Sequence, residues 1–241
     1  MTKEEFLKLD YGNIVTCKRY PGEVYEIDDA DVFGVGDRDP IFRVFGARDR
    51  ANNKDIRIDM QNYAVWDVFR KEALLIIDVQ NDYFPGGTNE LHNPYEAEAR
   101  INELITESRK CGRPIIYIQH INPPDDYFFL EGTHGVEISD RIKPCTGDKV
   151  IVKHFPNSFL ETELNDYLKS LDVDTLIVCG MMTHMCVDTT VRAAMDYGYQ
   201  VKLVANACAT MDLEIAGEII PADTVQKTFI ASLEGVFATV I

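Results

Sequence analysis

Past residue 70 the chain alternates short runs of β-branched and other apolar residues with stretches whose apolar positions recur every three or four residues. Runs of the first kind suit strands buried on both faces of a parallel sheet, and stretches of the second kind suit the amphipathic helices that cover it. Strands are predicted over 73–78, 115–120, 149–153, 174–180, 200–205 and 236–241. Between the first two, Asn93-Pro-Tyr-Glu96 reads as a cap, a proline at the first helical position and a capping-box glutamate. Ala97, Ile101, Leu104 and Ile105 follow at helical spacing as far as Cys111-Gly112. Ser158-Phe-Leu-Glu161 repeats the capping-box pattern, and Leu160, Leu164, Leu168 and Leu171 make one core-facing stripe behind it. A third helix opens near Cys186, passes through Val191, Ala194 and Met195, and stops at Tyr197-Gly198, where glycine suits a left-handed cap. The last helix begins at Pro221 and ends near Gly235.

This alternation, with right-handed crossovers, predicts an α/β fold: a doubly wound six-stranded parallel sheet of order 3-2-1-4-5-6 with helices on both faces. Ligands of such sheets bind beyond the carboxyl ends of the strands, at the switch point between the first strand and the fourth. Residues 121–148, rich in aromatic and turn residues, form a connection long enough to act as a lid or pocket wall. Residues 1–70 differ in character, with short apolar pieces among many charges and no long helical period. They are expected to form an N-terminal extension or small β-rich lobe beside a main domain over 71–241. Phe33, Phe42, Phe45, Tyr63 and Trp66 are expected in the core of a self-contained lobe or at a subunit contact; a homo-oligomer is the expectation.

With 40 acidic against 24 basic residues, the formal charge of −16 repels nucleic acid and anionic lipid surfaces, so neither is an expected partner. No stretch approaches the ~20 apolar residues of a membrane span, and the start, Met1-Thr-Lys-Glu-Glu-Phe6, lacks the apolar core of a signal peptide. A cytoplasmic location is the expectation. Cys17, Cys111, Cys145, Cys179, Cys186 and Cys208 are scattered without a Cys-x-x-Cys pair, which argues for reduced thiols and against a zinc cluster.

Cys186 carries the candidate chemistry. It follows the strand-like run Thr175-Leu-Ile-Val-Cys-Gly180 and opens a helix, where the positive end of the helix dipole favours thiolate, the nucleophilic form. A buried, inert structural thiol is the bland alternative. What weighs against it is Asp78 at the tip of the first strand and Lys153 at the tip of the third, which the predicted sheet gathers with Cys186 at one edge. A base, a cation and a thiol would then share a cleft.

Three segments resemble the isochorismatase-like hydrolases, the superfamily of nicotinamidases, N-carbamoylsarcosine amidohydrolases and ureidoacrylate amidohydrolases. They are Leu75-Ile-Ile-Asp-Val-Gln-Asn-Asp-Tyr-Phe84 with Pro85-Gly-Gly87, Val152-Lys-His-Phe-Pro-Asn-Ser-Phe159, and Cys179-Gly-Met-Met-Thr-His-Met-Cys-Val187. The resemblance continues through Asn206-Ala-Cys-Ala-Thr-Met-Asp-Leu-Glu214 and does not reach the first 70 residues. It implies a catalytic triad of Asp78, Lys153 and Cys186, in which the aspartate takes the thiol proton, the lysine stabilises charge and the thiolate attacks an amide-like carbonyl. It also implies a non-proline cis peptide at Met181-Met182, with the backbone N–H groups of Met182 and Cys186 forming an oxyanion hole.

The implied reaction is hydrolysis of a C–N bond in a small amide, ureido or carbamoyl compound through a thioester. An isochorismatase-type vinyl-ether hydrolase, which in the family dispenses with the cysteine, and a non-catalytic binding protein on the same fold are the alternatives. Gln80, His120, His134, Phe155, Phe159 and His184 are candidate substrate-binding residues. Gln80 and Asp82 are equally candidates for orienting their loop, and His120 for a satisfied polar group. Nicotinamidases of the superfamily carry an Asp-x-His metal pair after the second strand, whereas Gln119-His-Ile-Asn-Pro-Pro124 has none. No metal and no cofactor are therefore expected, and nicotinamide is disfavoured as substrate.

Overall fold

The computed structural model describes residues 1–2, 6, 9, 14–17, 24–31, 41–46, 56–58, 66–68 and 71–241. The chain divides into two units, Met1–Arg70 and Lys71–Ile241. In the first, β1 (Ile14–Cys17), β2 (Val24–Asp31), β3 (Ile41–Gly46), β4 (Ile56–Ile58) and β5 (Trp66–Val68) form an antiparallel sheet of order β4-β3-β2-β1-β5. Val15 and Cys17 on β1 and Tyr25 and Ile27 on β2 are buried at the two-residue period of a strand with one covered face. The segment is thus a β-rich lobe. Phe33 and Tyr63 lie outside the described residues, as do the side chains of Phe42, Phe45 and Trp66.

The second unit is built on β6 (Glu72–Ile77), β7 (Ile115–His120), β8 (Lys149–Lys153), β9 (Thr175–Met181), β10 (Gln200–Ala209) and, after a hairpin of β11 (Leu213–Ile215) and β12 (Glu218–Ile220), β13 (Thr239–Val240). The six strands outside the hairpin pair in parallel in the order β8-β7-β6-β9-β10-β13. In chain order this is 3-2-1-4-5-6. The central run Ala73-Leu-Leu-Ile-Ile77 is wholly buried because its side chains alternate between two cores. Ala73, Leu75 and Ile77 face one cluster, and Leu74 and Ile76 the other.

Helix α1 (Pro94–Cys111) covers the second cluster with Ala97, Ile101, Leu104 and Ile105. Helices α2 (Leu164–Ser170), α3 (Asp188–Asp196) and α4 (Ala222–Leu233) bring Leu164, Leu168, Val191, Ala194 and Leu233 to the first. Each such leucine or isoleucine contributes roughly 1.5–3 kcal/mol on full burial. No helix of the described residues is long and apolar enough to cross a membrane.

Local readings differ from the structure at three places. Asn93 adopts φ 51° and makes no side-chain cap, so helix α1 starts without the expected capping box. Helix α2 starts at Leu164, not near Ser158, because Ser158 is buried and tied to Thr190 of α3, its N–H at 3.1 Å and its Oγ at 2.9 Å from Thr190 Oγ1. Leu160 is consequently exposed rather than part of the stripe. Cys186 lies within a π-helical turn, Thr183–Val187, and α3 begins after it.

Candidate active site

Three adjacent strands and the turn after a fourth deliver the chemistry. Asp78 follows β6 directly, with its N–H bonded to Ile118 O of β7 at 3.1 Å. Its φ of 51° is a left-handed conformation that costs a non-glycine residue on the order of 1–3 kcal/mol and persists where the surroundings impose it. His120 and Lys153 end β7 and β8 and are partners in the register of those strands, so their side chains emerge side by side. Cys186 arrives from the π-helical turn beyond β9.

All four side chains are buried. Lys153 Nζ stands 2.7 Å from Asp78 Oδ2, donates to Pro156 O at 3.1 Å and lies 3.4 Å from His120 Nδ1. The ammonium has three protons, and these are three partners for it. The same Nδ1 is 3.8 Å from Asp78 Oδ2 and 3.9 Å from Cys186 Sγ. A relay histidine would use one nitrogen for the thiol and the other for the carboxylate. His120 turns one nitrogen to both, and its buried Nε2 has no partner among the described residues.

Burial is the largest influence on Asp78 and favours its neutral form, but the Lys153 charge and His120 outweigh it and hold the carboxyl below its usual range. Lys153 is likewise penalised by burial, yet Asp78 and Cys186 carry it above the ordinary lysine value. Cys186 goes the other way from the sequence expectation: burial first, then the Asp78 charge, push its thiol well up, and Lys153 recovers only part. A dipole at a helix start does not offset a dry site and a neighbouring carboxylate. The resting site thus holds carboxylate, ammonium and neutral thiol.

The remaining candidates separate into those near this cluster and those elsewhere. Gln80 is fully buried; its Nε2 donates to His120 O and Val136 O, both at 2.8 Å, and its Oε1 accepts from the His120 N–H at 2.8 Å. The amide is spent on holding the His120 backbone. Asp82 binds the loops together, accepting from Thr88 N–H at 3.2 Å and Phe129 N–H at 2.6 Å. Phe155 lines a crevice with Ile121, Pro123, Leu130 and His154. Phe159 is buried in the core cluster that also holds Cys186, its ring 4.9 Å from that of Tyr197 and 5.9 Å from that of Tyr199. His134 is exposed beside Asn81 and Glu137. His184 is bonded to Thr210 Oγ1 at 2.6 Å, away from the cluster's contacts. The Met181–Met182 peptide is cis, as the resemblance implies.

Asp78, His120 and Cys186 bring one ligand-type atom each within 4.8 Å of one another. The set does not suit a cation, because the Lys153 ammonium already occupies the side of Asp78 Oδ2 and of His120 Nδ1 that an ion would need.

The family profile described as Isochorismatase domain matches residues 72–241. The isochorismatase family protein YddQ of Bacillus subtilis is 47% identical over 169 residues, 70% of this chain and 94% of that one. The crystal structure of an isochorismatase from Pseudomonas putida KT2440 superposes with a TM-score of 0.67 at 38% identity, covering 70% of this chain and 87% of that one. Nicotinamidase 3 of Arabidopsis thaliana is 30% identical over 159 residues, 59% of this chain and 75% of that protein. From residue 72 to its end, the chain is a hydrolase domain, and the protein belongs to the isochorismatase family.

Proposed function

We propose that the protein is a cysteine hydrolase that cleaves the C–N bond of a small amide, ureido or carbamoyl compound. The observation that carries this is the convergence of Cys186, Asp78 and Lys153 in one buried cluster. The similarity to a relative named a nicotinamidase supports the amide as the bond class.

In this reading the Cys186 proton passes to Asp78 as Sγ attacks the carbonyl carbon. Asp78 Oδ1, which is buried and has no donor among the described residues, is the oxygen free to accept it. The negative charge then moves from the carboxylate to sulfur and onward to the substrate oxygen, while Lys153 stays within reach of it, so the net charge of site and neutral substrate is the same before and after the oxyanion forms. The backbone N–H groups of Met182 and Cys186 are the proposed donors to that oxyanion. On collapse, the C–N bond breaks, the nitrogen takes the proton from Asp78, and ammonia or an amine leaves. Water then gives a proton to Asp78 and its oxygen to the thioester carbon. The C–S bond breaks, and sulfur regains the proton.

Ammonia or amine release from small amides and ureas by the wild type, Cys186→Ala and Cys186→Ser tests the reading, with mass spectrometry for an acyl adduct. The wild type is expected to release the amine and accumulate an adduct on Cys186, and both variants to lose turnover by at least ~10³-fold while remaining folded. Turnover by Cys186→Ala at the wild-type rate would overturn covalent catalysis.

A further inference from the structure

Most cations of residues 71–241 are already committed to carboxylates. Arg100 pairs with Glu103 and Glu107, Arg109 with Asp148, Arg113 with Glu72, Arg141 with Glu98, and Arg192 with Asp188. Lys71, Lys143, Lys149 and Lys202 have carboxylate partners too. Lys110 and Lys169 stand in the last turns of α1 and α2. Those helices run back from the carboxyl ends of the strands, so their last turns lie at the opposite edge. Lys227 is exposed on α4. Lys153 alone reaches the cluster, and it is held by Asp78.

The rim carries the opposite charge. From Pro114 to Asp140 there is no lysine or arginine, while Asp125, Asp126, Glu131, Glu137 and Asp140 all fall there. Glu137 is met by His134 and Asp140 by Lys143, but Asp125 and Glu131 have no basic partner among the described residues. Glu131 lines a cavity of about 730 Å³ whose other walls include Pro123, Pro124, Leu130 and Phe155. Ile121 and His154, also in its wall, directly follow His120 and Lys153 in the chain, and the Ile121 N–H bonds Lys153 O at 3.0 Å, so this is the cavity whose wall continues from the strand ends that carry the cluster.

From this placement we infer that the site takes a cationic amide, its apolar body against the proline, leucine and phenylalanine wall and its positive group toward Glu131. A substrate bearing a carboxylate would meet an acidic rim on which residues 114–140 place no lysine or arginine to receive it. The inference rests on the amide-hydrolase reading for the word amide, and on charge and cavity for the word cationic.

The test labels Cys186 with three methanethiosulfonates of matched size, carrying 2-aminoethyl, 2-hydroxyethyl and 2-sulfonatoethyl groups. Rates are read at Cys186 by peptide mapping and divided by each reagent's rate with 2-mercaptoethanol. The cationic reagent is expected to exceed the anionic one by about tenfold at low ionic strength, and the ratio to approach unity near ~1 M salt. Glu131→Gln is expected to reduce the ratio about threefold. Equal or reversed rates, a ratio unmoved by Glu131→Gln, or no labelling of Cys186 by any reagent would overturn the inference. Labelling needs no hydrolysis. A cationic preference without amine release from any amide therefore overturns the amide reading and keeps the charge class, whereas amine release with an anionic preference does the reverse.

Discussion

Gly180 of β9 faces Ile77 of β6 with φ 127°, and a Cβ placed on it would stand 2.0 Å from the Ile77 carbonyl oxygen. Ile77 precedes Asp78, and Gly180 begins the path to the turn that carries Cys186. The contact therefore sets the spacing between the proposed base and the proposed nucleophile.

Gly180→Ala is expected to cost about 2–4 kcal/mol, from strain at a positive φ together with overpacking against backbone. Urea unfolding monitored by circular dichroism measures it, and turnover should fall with stability. A midpoint shift equivalent to less than ~0.5 kcal/mol would show that the strands part freely there.

The Asp78–Lys153 pair separates stability from chemistry. Each single neutralisation, Asp78→Asn or Lys153→Met, leaves a buried charge without its partner and is expected to cost about 3–5 kcal/mol. The double variant removes both charges and should recover most of that loss while remaining inactive. Single variants as stable as the wild type would mean that the pair is solvated, contrary to its burial.

How much of this was legible from the chain depends on whether the deciding contact is local. The strand Ala73–Ile77 is an uninterrupted apolar run, which only a doubly covered strand needs, so its place at the centre of the sheet could be read directly. Asp78, Lys153 and Cys186 could be placed at one edge because strand ends follow from topology. Ser158 was misleading: the capping pattern is local, but its N–H and Oγ go to Thr190, 32 residues away. Phe159 sits beside a site motif and packs on Tyr197 and Tyr199. The β11–β12 hairpin turns on Ala216 and Gly217, both at positive φ, and alanine gives none of the usual Asn-Gly signal. His120 was visible as a candidate, but its position at the centre of the cluster depends on the register of β7 with β8, which no residue pattern discloses.

Activity is expected to survive prolonged dialysis against EDTA or 1,10-phenanthroline. The three ligand-type groups that converge include a carboxylate already neutralised by Lys153. Assays before and after chelation, with metal content followed in parallel, decide the matter. Loss of turnover in chelator with recovery on adding zinc would sink the prediction and require Lys153 to move aside or lose its proton.

The ionisation of the cluster makes a sharper claim about Cys186 itself. From the sequence, a helix-start thiolate would be the first cysteine to react with iodoacetamide; with the thiol pushed up and buried, slow alkylation is expected instead. The signs give the pH window. Asp78 is lowered, so its share of stability is present above the unfolded value of about 3.9 and is lost as pH falls through the folded one. Lys153 is raised, so its share is present below about 10.4 and is lost as pH climbs through its folded value. From about pH 5 to about pH 9 none of these groups, the raised thiol included, reaches its midpoint, so the thiolate fraction at Cys186 and the alkylation rate with it should stay low and climb about tenfold per pH unit without levelling off. A free cysteine in the same buffers, with a pKa near ~8.5, reacts faster throughout and begins to level off at about that pH. Rates at Cys186 resolved by peptide mapping give the comparison. A sigmoidal rise with a midpoint below ~8 would mean that the resting site holds a thiolate beside Lys153, and that Asp78 is not the group that must take the proton.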